Sequence, residues 1–383
     1  MINDYQRNID NLKQNHLYRQ TLKSEAVNEV VIKRGRKKFI SFSCNDYLNL
    51  SAHPQVKKAA IAAIKKYGVG ARSSRYITGN NKLYDQLEAA IAKAKNADDA
   101  IVFTSGYAAA IGVIPALIAK NDLVIADRLV HSCLLDGIKL SEAKLLRFKH
   151  NDLEHCQQLL ESNRKNFKRC LIVTETVFSM DGDLSDISSL LDLCKKYDCL
   201  LLSDDAHGFG ILKKNQTHAT KYHIQFGTLS KAVGTLGGYV AADKIIIDYL
   251  RNFSKSLIYT TALPPAILAA SLVSIKLLQK QNNKNLLGEI ALQNAQYFCH
   301  LLKLKQPDSP IVIITIGDSA KVLQIAKNVA QKGFLISAIR PPTVEVNKAR
   351  LRITFCAKHK KQQIEKLAKI LTNELTKNAH QYQ

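Results

Sequence analysis

No tryptophan occurs in the 383 residues, only two methionines and eight prolines do, and aromatic residues make up just 7% of the chain. A protein that stacks nucleic-acid bases interleaves aromatic side chains with basic ones, and no such cluster stands out, so no nucleic-acid partner is expected. Long apolar runs are missing too. The longest, Tyr107 to Ala119, is thirteen residues with Pro115 inside it, whereas a bilayer span needs roughly 20; no membrane partner is expected. Met1 to Lys38 is polar and charged without an apolar h-region, which predicts no secretory leader. Acidic residues are scarce: 32 Asp and Glu against 55 Lys and Arg give a net charge of +23. Such an excess speaks to partners and not to fold. It fits a lysine-rich proteome, an acidic partner or an anionic substrate.

The eight cysteines, Cys44, Cys133, Cys156, Cys170, Cys194, Cys199, Cys299 and Cys356, contain no C-x-x-C pair. A disulfide framework belongs to small secreted chains, so the expectation is reduced thiols in the cytoplasm, mostly buried as small hydrophobes. No H-E-x-x-H and no Cys/His spacing suggests a metal site.

What is present is ordinary globular composition, 46% hydrophobic and 23% charged. The length suggests one large domain and a smaller one. A charged, helix-prone arm ending in a Gly-containing basic turn is expected over 1–40, a large domain over 41–280 and a small one over 281–383. Leu123 to Ala126, Cys170 to Thr174, Cys199 to Ser203 and His223 to Thr228 read as strands. Between the second and third, Ile187, Leu190, Leu191 and Cys194 fall on one face of a helix, which Asp183 or Ser185 could cap. Strand, helix, strand implies βαβ units and a mainly parallel sheet. The last hundred or so residues mix helices with strands near Pro310 to Ile316, Ala338 to Pro342 and Ala349 to Phe355, an α+β pattern.

Ligands of open α/β sheets bind beyond the carboxyl ends of the strands. Four candidate ends carry Ser105-Gly106-Tyr107, Glu175 through Asp183, Asp204 through Gly210, and Thr228-Leu229-Ser230-Lys231. Singly, each has a plain explanation: a solvated lysine, a capping Asp, a packed histidine. Together they offer what pyridoxal phosphate needs. A lysine reaches its aldehyde, a carboxylate keeps its ring nitrogen protonated, and hydroxyls with a helix start hold its phosphate. Lys231, Asp204, and the Ser105 turn with Thr228 could supply these.

Several segments carry a resemblance: Ser43 to Leu48, Thr104 to Tyr107, Asp127 to His131, Val177 to Asp183, Asp204 to Gly210, Thr228 to Lys231, and Ala338 to Val344 with Ala349 to Arg352. The chain resembles the α-oxoamine synthases, pyridoxal-phosphate enzymes of fold type I. The Arg340-Pro341-Pro342-Thr343-Val344 stretch favours the branch serving biotin synthesis. The resemblance implies an α/β fold with a mainly parallel sheet, a smaller α+β C-terminal domain and a short N-terminal arm. It implies Lys231 as Schiff-base lysine and proton carrier, Asp204 at the pyridinium nitrogen, His207 at the ring hydroxyl and His131 stacked on the ring. Gly106, Tyr107 and Ser179 would sit at the cofactor and Thr228 at its phosphate. Arg352 would hold an amino-acid carboxylate, Asn45 would lie near the acyl carbonyl, and Arg19 and Thr343 would line the acyl site. The implied reaction joins L-alanine to a pimeloyl thioester, on an acidic acyl carrier protein or on coenzyme A, with loss of CO2, in a homodimer. Sister activities would use glycine and a short acyl-CoA; a non-catalytic basic binding protein is the distant rival. Three positions depart from the family pattern: Ser230 and Asn49 stand where glycine is usual, and Tyr84 where histidine is common.

Overall fold

The computed structural model describes residues 1–212, 220–280 and 287–379. The chain divides into two compact units, one of residues 48–179 and 183–286, the other of 1–47, 180–182 and 287–383.

The first unit is built on a seven-stranded sheet. In spatial order its strands are Asp99–Phe103, Gly238–Ala242, His223–Thr228, Leu200–Asp204, Cys170–Glu175, Leu123–Asp127 and Lys144–Phe148. The last five pair in parallel; Gly238–Ala242 runs antiparallel to both its neighbours. The central strands read as continuous apolar runs because both faces are covered. Residues 101, 103, 124, 126, 171, 173, 224 and 226 face a layer that includes the helices Gly106–Leu117 and Ser132–Ser141. Their alternates pack on the opposite layer: 100, 102, 239 and 241 meet the helix Lys82–Lys95, and 123, 125, 170 and 172 meet Leu153–Asn163 and Ile187–Tyr197. This is the period-2 alternation of strands. The mainly parallel sheet expected from sequence is thus present.

The helix expected near Ser185 spans Ile187–Tyr197 and buries Ile187, Leu190, Leu191 and Cys194. Its cap is Asp186, whose carboxylate accepts the Ser189 N–H at 3.0 Å. The two caps expected from sequence are engaged elsewhere. Asp183 accepts from His150, and the Ser185 hydroxyl lies 2.8 Å from that of Thr174.

The second unit holds an antiparallel sheet ordered Ile311–Gly317, Ala349–Thr354, Ser337–Ile339, with the helices Leu287–Leu302, Ser319–Gln331 and Lys361–Ala379. Phe42, Phe298, Phe334 and Phe355 lie in its core. His359 stacks on Phe42 at 3.9 Å, and burial lowers its pKa to about 4. Two sequence expectations change here. The first forty residues hold the helix Ile2–Gln14 but also the hairpin Val31–Arg34 and Lys37–Ser41, turned by Gly35 at φ +57°. The strand expected to reach Pro342 stops at Ile339, before two prolines that have no N–H for a ladder.

Among the described residues, no helix is long and apolar enough to cross a membrane, and no group of three or more His, Cys, Asp or Glu could hold a metal ion. The eight cysteines are free thiols; all but Cys44 are buried.

Candidate active site

Asp204 is the last residue of its strand and 5% exposed; its Oδ1 accepts the Ala206 N–H at 2.9 Å. Burial lifts its pKa to about 6, although the Lys231 charge and the Ala206 N–H pull the other way. The neighbouring Asp205 is fully committed to structure. It pairs with Lys95 Nζ at 2.6 Å and accepts from Thr176 Oγ1 at 2.7 Å and Tyr239 OH at 3.3 Å. Gly208 follows because a Cβ there would come within 2.2 Å of Asp205 Oδ1. That tight turn puts His207 Nε2 2.7 Å from Lys231 Nζ. Lys231 follows the next strand, in a turn closed by Leu229 N–H to Gly237 O and Gly234 N–H to Lys231 O, each at 2.9 Å.

A cradle of small groups stands at Thr228. Gly106 opens its helix, with the Ser105 hydroxyl capping the Ala108 N–H at 3.0 Å. A Cβ on Gly106 would lie 3.3 Å from Thr228 Cβ. Thr228 Oγ1 lies 2.8 Å from both Gly237 O and Ser230 Oγ. Gly238 pairs with Phe103 and Thr228 at once, and a Cβ there would strike the Ser105 carbonyl at 2.3 Å. Tyr107 is half exposed and its hydroxyl bonds to Asp136.

His131 caps the helix Ser132–Ser141: its Nδ1 accepts the Cys133 N–H at 3.2 Å. Burial and the Lys231 charge lower its pKa, so the ring is neutral at neutral pH. Ser179 donates its backbone N–H to Glu175 Oε2 at 3.2 Å. Glu175 is 2% exposed, and its Oε1 has no hydrogen-bond partner. Burial, then the Asp204 charge, pushes its pKa well above the carboxylate range.

All eight residues expected at the cofactor, Gly106, Tyr107, His131, Ser179, Asp204, His207, Thr228 and Lys231, therefore lie in the first unit. The four others expected at the substrates belong to the second. There Arg352, 4% exposed, donates from Nη1 to Asn45 Oδ1 at 3.2 Å and from Nη2 to Tyr47 OH at 3.3 Å. Arg19 Nη2 donates to Thr343 Oγ1 at 3.0 Å.

The departures from the family pattern have local explanations. Asn49 takes the left-handed conformation at φ 56°, which asparagine tolerates better than most side chains. Ser230 is exposed and adds a second hydroxyl beside Thr228. Tyr84 OH accepts the Leu263 N–H at 2.7 Å, and Arg75 lies over its ring. The sequence reading missed Glu175 as a working part of the site. Its only signal was its place at a strand end.

This donor set fits pyridoxal phosphate. A buried carboxylate suits a pyridinium nitrogen. A lysine amine lies within reach of a buried histidine. A glycine at a helix start, facing two hydroxyls, leaves room and donors for a phosphate.

The family model for class I and II aminotransferases matches residues 37–371. An 8-amino-7-oxononanoate synthase from Granulibacter bethesdensis is 44% identical over 352 residues, 91% of each chain. The solved 8-amino-7-oxononanoate synthase of Francisella tularensis superposes with a TM-score of 0.74 at 31% identity, covering 89% of this chain and 99% of that one. A serine palmitoyltransferase from S. paucimobilis, solved with a pyridoxal phosphate–myriocin aldimine, gives 0.88 at 25% identity over 97% and 96%. The chain belongs to the 8-amino-7-oxononanoate synthase family of the class I and II aminotransferase fold, and is a pyridoxal-phosphate-dependent enzyme.

Proposed function

We propose that this enzyme condenses L-alanine with a pimeloyl thioester to give 8-amino-7-oxononanoate, CO2 and a free thiol, a step of biotin biosynthesis. The observation that carries the reading is Lys231 Nζ set 2.7 Å from His207 at the end of the strand next to that of Asp204, in a chain 44% identical to a synthase of that name. When bound, pyridoxal phosphate supplies an aldehyde for the amino group and an electron sink for the charge that develops at Cα.

Lys231 would hold the cofactor, and its free amine would take the proton from alanine Cα and later return one there. Asp204 would keep the ring nitrogen protonated, and His207 would bond the ring hydroxyl. Neutral His131 would stand against the ring without adding charge. Ser179 and Tyr107 would contact the cofactor, and Gly106 and Thr228 would hold its phosphate, with Ser230 beside them. Arg352 takes the alanine carboxylate, since a planar guanidinium suits two-point pairing. Asn45 lies at the thioester carbonyl, and Arg19 and Thr343 line the acyl site. Alanine Cα bonds to the thioester carbonyl carbon, the thiol leaves, the carboxylate departs as CO2, and a proton restores Cα.

The net charge of +23 suits an acidic acyl carrier protein as donor, and suits anionic coenzyme A as well. The working form is a homodimer in the cytoplasm, where the eight free thiols persist. A sister reaction on glycine or serine with another acyl thioester is the second reading, favoured by the fold match to serine palmitoyltransferase.

Thiol release from a pimeloyl thioester, assayed with L-alanine, glycine and L-serine in turn, separates these. Alanine-dependent release supports the proposal, and Lys231→Ala should remove it while leaving a folded protein. Release only with glycine or serine and a different acyl thioester overturns the substrate assignment and leaves the cofactor assignment standing.

A further inference from the structure

Outside the set already described, one polar cluster anchored on a buried carboxylate joins two of its loops. Asp127 ends the strand Leu123–Asp127, is fully buried, and begins the loop that leads to His131. Its Oδ1 accepts the Leu129 N–H at 2.7 Å and its Oδ2 the Asn151 N–H at 2.9 Å. Asp183 closes the turn that carries Ser179, its carbonyl accepting the Phe178 N–H at 3.0 Å. His150 stands between the two carboxylates. Its Nδ1 lies 3.1 and 3.2 Å from the two oxygens of Asp127, and its Nε2 lies 2.8 Å from Asp183 Oδ2. Asn151 Nδ2 reinforces the same oxygen at 2.9 Å, and the Phe178 ring packs edge-on to the imidazole at 4.4 Å.

An ionised carboxylate only accepts hydrogen bonds, and a neutral imidazole donates from one nitrogen alone. Contacts to carboxylates at both nitrogens therefore require the imidazolium. A cation between two anions makes a pair of charge-assisted bonds, shorter and stronger than neutral ones. Both bonds end on segments that deliver a residue to the cofactor.

We propose that His150 is a positioning residue which, as a cation bridging Asp127 and Asp183, fixes the spacing between the loop that presents His131 and the turn that presents Ser179. This rests on the reading that those two residues touch the cofactor ring. His150 itself touches neither substrate nor cofactor. Its effect is on how closely the ring is held, and through that on the freedom of the ring to tilt.

The test titrates cofactor-free His150→Gln and Asp183→Asn with pyridoxal phosphate. It follows visible absorption and the circular dichroism induced in the bound cofactor, beside thermal melting of the same proteins. Both variants should bind the cofactor about tenfold more weakly, and the induced dichroism per bound cofactor should fall by about half. Lower melting temperatures with unchanged affinity and dichroism would show a merely structural role and overturn the proposal. Asp183→Asn leaves the Asp127–His150 contact in place and serves if His150→Gln does not fold. The underlying reading is checked separately with His131→Ala and Ser179→Ala: if neither alters the dichroism, that reading fails, whatever His150→Gln does.

Discussion

Glu175 and Asp204 lie directly opposite each other at the ends of neighbouring parallel strands. Two carboxyl groups so placed do not both ionise readily, because burial and like charge each oppose it. The Lys231 charge pulls both groups down, yet burial holds Asp204 at about 6 and Glu175 well above the carboxylate range. Glu175 is thus the member that keeps its proton at neutral pH. Glu175→Gln imitates that neutral form and should retain activity within about threefold, whereas Glu175→Ala, which also frees the Ser179 N–H, should lose about tenfold. The same displacement fixes a sign. A raised carboxyl pKa stabilises the fold below the unfolded value of about 4.3 and loses that contribution as pH rises. Cofactor-free Glu175→Gln should therefore melt higher than the parent at pH 8 and no higher at pH 4. Equal melting at both would show that Glu175 is not displaced.

His150, which is half-buried, shifts the opposite way from an imidazole that burial alone acts on. Burial alone would lower its pKa, but hydrogen bonds to Asp127 and Asp183, and their charges, lift it to about 10. The folded state then holds a proton that the unfolded chain releases near 6.5. The stabilisation is complete below about pH 6.5 and vanishes as pH rises through about 10. In melts of the cofactor-free protein between those limits, His150→Gln should show a shallower fall with pH than the parent. Parallel curves would contradict the protonated bridge.

Asn49 makes a conformational prediction. At φ 56°, Asn49→Gly should be neutral or slightly stabilising, while Asn49→Ala should cost about 1 kcal/mol. Chemical denaturation of the two variants measures this directly. A stable alanine variant would mean the turn relaxes out of the left-handed region.

Salt separates the two possible acyl donors. If a folded acidic carrier docks on the basic surface, its KM should rise steeply with ionic strength between about 50 and 500 mM, as screening shortens the reach of charge. The same acyl group on coenzyme A should respond less, having fewer charges to engage. A carrier KM indifferent to salt would remove charge as a reason to favour the carrier.

Much of this was legible in the sequence because it is local. The apolar runs at Leu123 and Cys170 and the helical face at Ile187, Leu190, Leu191 and Cys194 follow from periodicities of 2 and 3.6. Lys231 and Asp204 could be picked out because each stands at a strand end. What stayed hidden depends on pairings distant along the chain. His150 lies 23 residues from one carboxylate and 33 from the other, and nothing in its own neighbourhood marks it as a bridge. Glu175 gains its meaning from Asp204, a neighbour only once two strands are in register. The basic turn at Gly35 was legible, but not the strands on either side of it, Val31–Arg34 and Lys37–Ser41, whose lysines and arginines mask any alternation.

The strand Gly238–Ala242 has one more consequence. The helix start at Gly106 and the hydroxyl of Thr228 are carried by strands that do not pair with each other; both pair with Gly238–Ala242, and Gly238 itself meets Phe103 on one side and Thr228 on the other. A chain emerging from the ribosome with Lys231 already outside, but Ala242 still in the tunnel, has every side chain proposed for the phosphate and lacks the strand that lies between them. Capture of the cofactor during synthesis must wait for that last, reversed strand to slide between its two older neighbours. Acquisition of the yellow colour of the bound cofactor would then time-stamp the closing of the sheet.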